Sequence, residues 1–189
     1  MSITTATTIR RFSRDEYHEM ARTGILRPEE RVELIHGEVL AMTPQGTPHA
    51  AFIDFLDTQL QQAFGDRVAV RTQLPLALGE TSEPEPDLAV VLGQPLDYVH
   101  AHPTTALLIV EVAETSLSFD RTIKAMLYAE HRIPEYWIVN IGDHQLEVFR
   151  NPSSSGYETH TILRADESVT PLHAPTFSLP LASLFSALQ

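Results

Sequence analysis

The chain has 189 residues, 43% of them apolar and 20% charged, with a net charge of −12 counting histidine as neutral and no cysteine. That length and balance predict one soluble domain with its own core, and no apolar run is long enough for a transmembrane helix. The missing cysteines exclude disulfides and thiolate metal sites and fit a cytoplasmic protein, while thirteen dispersed Lys and Arg weigh against a basic patch that grips nucleic acid through its phosphates.

In chain order, MSITTATTIRRFSRDEY lacks the apolar core of a secretory signal, and residues 1–11 are expected to be a flexible arm ahead of a single domain over 12–189. SRDE at Ser13–Glu16 has capping-box spacing and predicts a short helix stopping near Gly24. RVELIHGEVLAMT predicts a hairpin that turns at His36-Gly37, and Pro44, Gly46 and Pro48 mark a loop. From His49 to Phe64, Ile53, Leu56, Leu60 and Phe64 recur at helical spacing with one buried face. RVAVRTQLPLAL reads as a strand with a proline-marked irregularity, GETSEPEP as a loop, and DLAVVL as a short strand opened by Asp87. QPLDYVHAHPT is a loop. TALLIVEVAE is the most apolar strand, and its two-sided apolarity predicts a central place in the sheet. SLSFDRTIKAMLYAEHR predicts a helix with Ser116 or Ser118 at its cap. EYWIVNI and QLEVFRN predict the next pair of strands, PSSSG a turn, YETHTILRA a strand, and PLHAPTFSLPLASLF a short terminal strand or helix. The alternation predicts a mixed α/β domain around a central sheet.

Glu111 stands inside that apolar strand. A carboxylate removed from water is costly unless it is paired, protonated or bound to a metal. Alternation puts Glu111 and Ala113 on one face and Val110 and Val112 on the other. If the Asp87 and Glu111 strands are neighbours, the two carboxylates converge at one end of the sheet, which suits a hard cation such as Mg²⁺. Asp120 and Lys124 are four apart on one helical face, and Lys124 could position a water or stabilise charge on a phosphate oxygen. Each residue also has a structural reading. Glu111 could be a paired carboxylate, Asp87 a turn residue after Pro86, and Glu33 a solvated hairpin residue. Lys124 could be solvated or pair with Asp120, and Asp120 could orient Lys124 or bind water. His49 could sit at a helix N-terminus without chemistry. Tyr128 and Trp137 read as core. His100 and His102 have a zinc-like spacing with no third ligand, and read as loop.

Five stretches, VELIHGEVLAMTP, His49 opening a helix, EPDLAVV, LLIVEVAETSLSFDRTIKAMLYAEHRIPEYWIVN and LEVFRNP, taken in order from about Arg31 to Tyr157, resemble the "Uma" family of "putative restriction endonucleases" in the PD-(D/E)XK nuclease superfamily. The resemblance implies a restriction-endonuclease-like α/β (α+β) core, a central mixed β-sheet flanked by helices, with a metal at one edge. It implies DNA as substrate, Mg²⁺ or Mn²⁺ as cofactor, Asp87 and Glu111 as metal ligands, and Glu33 as a third acid. The lysine usual two residues after the second acid is replaced by Ala113, and Lys124 matches the family's placement of that lysine on the following helix. Asn140 stands where relatives often have aspartate. Nucleases of this fold commonly work as a homodimer or higher homo-oligomer. The net charge and Ala113 motivate one alternative, a catalytically inactive nuclease-fold protein used for binding or assembly.

Overall fold

The computed structural model describes residues 9–188. Most of the expected N-terminal arm, residues 1–8, lies outside the described residues. Arg10 and Arg11 already engage the body through Glu16 at 2.6 Å and Glu38 at 2.8 Å. Helix α1 (Arg14–Arg22) begins at the predicted capping box, with Ser13 and Glu16 satisfying each other's backbone amides. Strands β1 (Val32–Ile35) and β2 (Glu38–Ala41) form the predicted hairpin. His36 and Gly37 both take positive φ, 49° and 78°, as a two-residue primed turn requires.

Helix α2 (Thr47–Phe64) starts two residues before His49, so Pro48 lies in its first turn rather than in the loop. Proline is tolerated there because the amide it lacks has no helical partner. His49, Phe52, Ile53, Leu56 and Leu60 form the buried stripe of α2. Strands β3 (Val68–Thr72), β4 (Leu88–Leu92), β5 (Leu108–Ala113), β6 (Glu135–Asn140), β7 (Gln145–Ser153) and β8 (Gly156–Arg164) form one six-stranded sheet in that spatial order. Strands β5 and β6 are parallel; every other neighbouring pair is antiparallel. The sheet is mixed, as the sequence predicts, and β5 is internal and buried along its whole length.

Two apolar layers explain that burial. Leu108, Val110 and Val112 pack with the α2 stripe and with the C-terminal α5 (Leu181–Phe185). Ile109 and Ala113 face the opposite layer, with Leu127, Tyr128 and Tyr136. The tail holds both a short strand, β10 (Leu179–Pro180), paired with β9 (Ser168–Val169), and the helix α5.

The parallel β5–β6 crossover is helical but irregular. Helix α3 (Leu117–Phe119) runs into a π-helical stretch, Asp120–Lys124, and then α4 (Ala125–Glu130). Ser116 holds the cap position, yet its hydroxyl donates to Asp120 at 2.5 Å instead of capping the backbone. A widened turn inside a helix often marks a functional position. Here both charged ends of the turn, Asp120 and Lys124, are buried, and Arg121 between them is fastened to buried Glu147 of β7 at 2.5 Å. The turn after β7 is shorter than PSSSG, because Pro152 and Ser153 still pair with Tyr157 and Gly156.

Truncating the α2 stripe should be costly. Leu56→Ala, at a fully buried position, should lower the unfolding free energy by about 2–5 kcal/mol. Leu96→Ala, at an 81% exposed position, should change it by less than about 0.5 kcal/mol. Urea denaturation of the two variants checks the contrast.

Candidate active site

The antiparallel register of β4 and β5 sets Leu88 opposite Val110, which brings the residue just before β4, Asp87, level with Glu111. The two are locked reciprocally. Val112 N donates to Asp87 Oδ2 at 2.8 Å, and Asp87 N donates to Glu111 Oε2 at 3.4 Å. The condition under which the two acids converge is therefore met, and they meet where β5 ends.

Three further elements close on this pair. Helix α2 brings His49, whose Nε2 lies 3.2 Å from Asp87 Oδ2. The hairpin brings Glu33, buried rather than solvated, with its Oε2 accepting from Glu85 N at 3.2 Å. The π stretch brings Lys124, whose Nζ lies 3.0 Å from Glu111 Oε1 and 3.3 Å from Glu33 Oε1. Lys124 thus pairs with Glu111 and Glu33, and Asp120 takes the Ser116 hydroxyl instead. Ala113 is buried on the Glu111 face of β5, with no basic group of its own, and Lys124 supplies the cation from the helix. A cavity of about 380 Å³ opens onto Glu33, His49, Asp87, Glu111, Asp120 and Lys124 together. Every one of the expected site residues lines it.

Some contributors gave little warning in the sequence. Tyr128 is core, as its apolar surroundings suggest, but its hydroxyl also donates to Glu111 Oε1 at 2.8 Å. Its place one helical turn after Lys124 is the signal that could have found it. Gln73 donates to Asp87 Oδ1 at 3.2 Å from a backbone held at φ 52°, where β3 breaks off. Glu85 and Glu114 also line the cavity. Asn140 lies outside the site, at the end of β6, where it exchanges hydrogen bonds with Asp143 at 2.9 and 3.1 Å. His100 and His102 lie in a loop, as their surroundings predict.

Burial dominates the electrostatics. It pushes the Glu111 carboxyl up to about 8; Lys124 opposes the shift, and the charges of Asp87, Asp120 and Glu33 add to it. Burial also pushes Asp120 up to about 6, against the pull of Lys124 and the Ser116 hydrogen bond. For Lys124 burial works downward, but Glu111, Glu33 and Asp120 outweigh it and keep the ammonium charged. His49 follows the same balance: burial lowers its pKa, the Asp87 hydrogen bond and charge raise it more, and the net shift is upward.

Among the described residues no three His, Asp or Glu side chains already converge as a metal cage. Mg²⁺ asks for less, since it is commonly held by one or two carboxylates together with water and substrate phosphates. The donor chemistry fits that demand: two hard carboxylates lie side by side at a cavity wall, and His49 Nδ1 is buried there without a partner.

A mixed six-stranded sheet flanked by helices gives the chain an α+β fold. It is similar to a crystal structure from Anabaena variabilis ATCC 29413 described as "a putative nuclease belonging to DUF820", with a TM-score of 0.76 and 16% sequence identity over 94% of this chain and 99% of that one. A search of curated proteins finds no match. The chain belongs to the Uma2 family, described as "Putative restriction endonuclease", which matches residues 14–182. The resemblance read from the five sequence stretches is thereby borne out.

The raised carboxyls fix the sign of a pH effect. Between the ordinary glutamate value of 4.5 and about 8, folded Glu111 keeps a proton that the unfolded chain has released. Asp120 adds to this between 3.8 and about 6. The folded state binds more protons over that range, so stability should fall as pH rises from about 4.5 to about 8. Glu111→Gln, measured by thermal denaturation in chelator, should flatten this decline. A decline of equal slope in the variant would exclude Glu111 as its source.

Proposed function

We propose that the protein is a divalent-metal-dependent endonuclease that hydrolyses DNA phosphodiester bonds, with residues 12–189 acting as one restriction-endonuclease-like domain. The observation that carries this reading is the convergence of Asp87, Glu111, Glu33 and Lys124 from four separate segments on one cavity. Asp87 and Glu111 would hold Mg²⁺ or Mn²⁺, and Glu33 would assist. The chemistry such a cation supplies is polarisation of a phosphate oxygen and a lowered pKa for a coordinated water.

The chain's own groups do the rest. Val112 N and Gln73 hold the Asp87 carboxylate, and His49 lies against it, so it stays aimed into the cavity. Tyr128 holds Glu111 in the same way. Lys124 keeps its charge, so its ammonium can donate to an attacking water or to the phosphate oxygen on which negative charge grows. Glu33 also anchors that ammonium, at 3.3 Å. Asp120 sits at the cavity wall as a weaker candidate for holding water. Cutting both strands of a duplex suits a two-fold pair of copies.

One other reading has specific support. A net charge of −12, and a lysine already closed onto the carboxyls of Glu111 and Glu33, would suit a nuclease-fold protein that binds or assembles without cutting. A plasmid-cleavage assay with Mg²⁺ or Mn²⁺ separates the two. The endonuclease reading expects wild type to nick or linearise DNA, with Glu111→Ala and Lys124→Ala slower by a factor on the order of 100 or more. Circular dichroism confirms that the variants fold. Equal cleavage by all three proteins, or none by wild type with either metal, would sink the endonuclease reading.

A further inference from the structure

Strand β8 closes one side of the sheet, and its far edge is open. Among the described residues β7 is its only strand partner, and no loop backbone bonds to it from Gly156 to Leu163. An open row of N–H and C=O groups is a template for another strand. Proteins that stay apart blunt such an edge with a short strand, a proline, a lysine or a bulge. Strand β3, at the other side of the sheet, is blunted in this way: it has five residues and breaks off where Gln73 turns to φ 52°. Strand β8 has nine residues, no proline and no lysine, and it keeps one register with β7 from Gly156 to Arg164.

The side chains say which strand fits. Glu158, His160, Thr161, Ile162 and Arg164 are exposed. Neighbouring charges pair off within the chain, His160 with Glu147 at 2.9 Å and Arg150 with Glu135 at 2.6 Å, but Glu158 and Arg164 do not. The strand is its own complement. In an antiparallel pair about a two-fold axis normal to the sheet, opposed residues share a face, so the axis passes through a residue. With Thr161 on the axis, Glu158 of one copy stands opposite Arg164 of the other, and this happens twice. His160 then faces Ile162, and Thr159 faces Leu163. An axis one residue later, at Ile162, would set Glu158 against Asp166 and His160 against Arg164. An axis one residue earlier, at His160, would leave Glu158 opposite Ile162. Opposite charges directly across a strand pair stabilise it and like charges oppose it, so the chemistry selects Thr161. Apolar surface adds to the edge. Ile162 pairs with Glu147, which Arg121 of the crossover holds, so Ile162 lies on the crossover face, 48% exposed. Met126 of α4, beside Gly156 at the start of β8, is 36% exposed.

We propose that β8 is the surface on which a second copy of this chain docks, strand to strand and antiparallel about Thr161, so that the sheet runs on from one copy into the other. Two Glu158–Arg164 pairs set the register. The inference gives a face to the two-fold pair raised above but needs only β8. Its readout is molecular mass rather than cleavage, so its failure leaves the endonuclease reading to the plasmid assay.

Sedimentation equilibrium of the full chain over a range of concentrations tests it, with wild type, Glu158→Arg and Arg164→Glu. Wild type should form a dimer. Each variant sets like charges opposite each other twice and should weaken the dimer about tenfold or more. Mixing the two variants should restore it, because in the mixed dimer both pairs are again of opposite charge. A contact elsewhere on the surface would give no such recovery. Should either variant fail to fold, wild type reports alone: amide exchange from Thr159 to Leu163 should slow as concentration is raised through the dissociation range. A wild type that stays monomeric, a dimer that both variants leave unchanged, a mixture no more dimeric than its components, or exchange in β8 that ignores concentration would overturn the proposal.

Discussion

The Lys124 ammonium lies within ion-pair reach of two buried carboxylates, and those carboxylates come from different layers of the molecule. Glu111 belongs to the internal strand β5, Glu33 to the small β1–β2 hairpin, and Lys124 to the π turn that leads away from β5. One charge thus ties the hairpin, the sheet and the crossover helix together. In a low-dielectric interior such a group of charges is conditional. Removing one partner from a buried pair typically costs about 3–5 kcal/mol, because the remaining charge is left without water or counter-ion. The same tension gives Glu111 its raised pKa and keeps Lys124 charged. A strained balance of this kind is typical of a site that receives a further charged partner.

The fold's contribution is to make that tension stable. Apolar residues on both faces of β5 bury it between α2 and the crossover helix, and the β4–β5 register then places Asp87 beside Glu111. The Val112 and Asp87 amides satisfy carboxylate oxygens that would otherwise be stranded. Arg121 on Glu147 pins the π turn to β7, so Lys124 is held at a fixed reach. The hydrophobic layers supply the stability that allows a polar cluster to persist at the end of the sheet.

Much of this was readable from the residues, for definable reasons. The capping box at Ser13, the His36-Gly37 turn and the two-sided apolarity of β5 are local signals, and each has one dominant structural solution. Asp87 and Glu111 stood out because they are acids beside or within apolar strands. What the sequence did not display were effects that depend on which elements meet. The π turn is invisible to a 3.6-residue pattern, since Asp120 and Lys124 share a face in a regular helix as well. The burial of Glu33 follows from the hairpin docking next to β5, which strand alternation alone does not specify. Tyr128 was legible as core but not as a donor to Glu111, because a tyrosine's hydroxyl leaves no periodic trace.

We propose that the Asp87 and Glu111 carboxylates form a divalent-cation site, with the Lys124 ammonium beside it. Calorimetric titration of Mn²⁺ into wild type and Asp87→Asn tests it most directly. The account predicts one binding event in wild type, in the micromolar-to-millimolar range, with proton release from Glu111 near neutral pH, and loss of that event in Asp87→Asn. Absence of binding in wild type, or unchanged binding and proton release in Asp87→Asn, would contradict it.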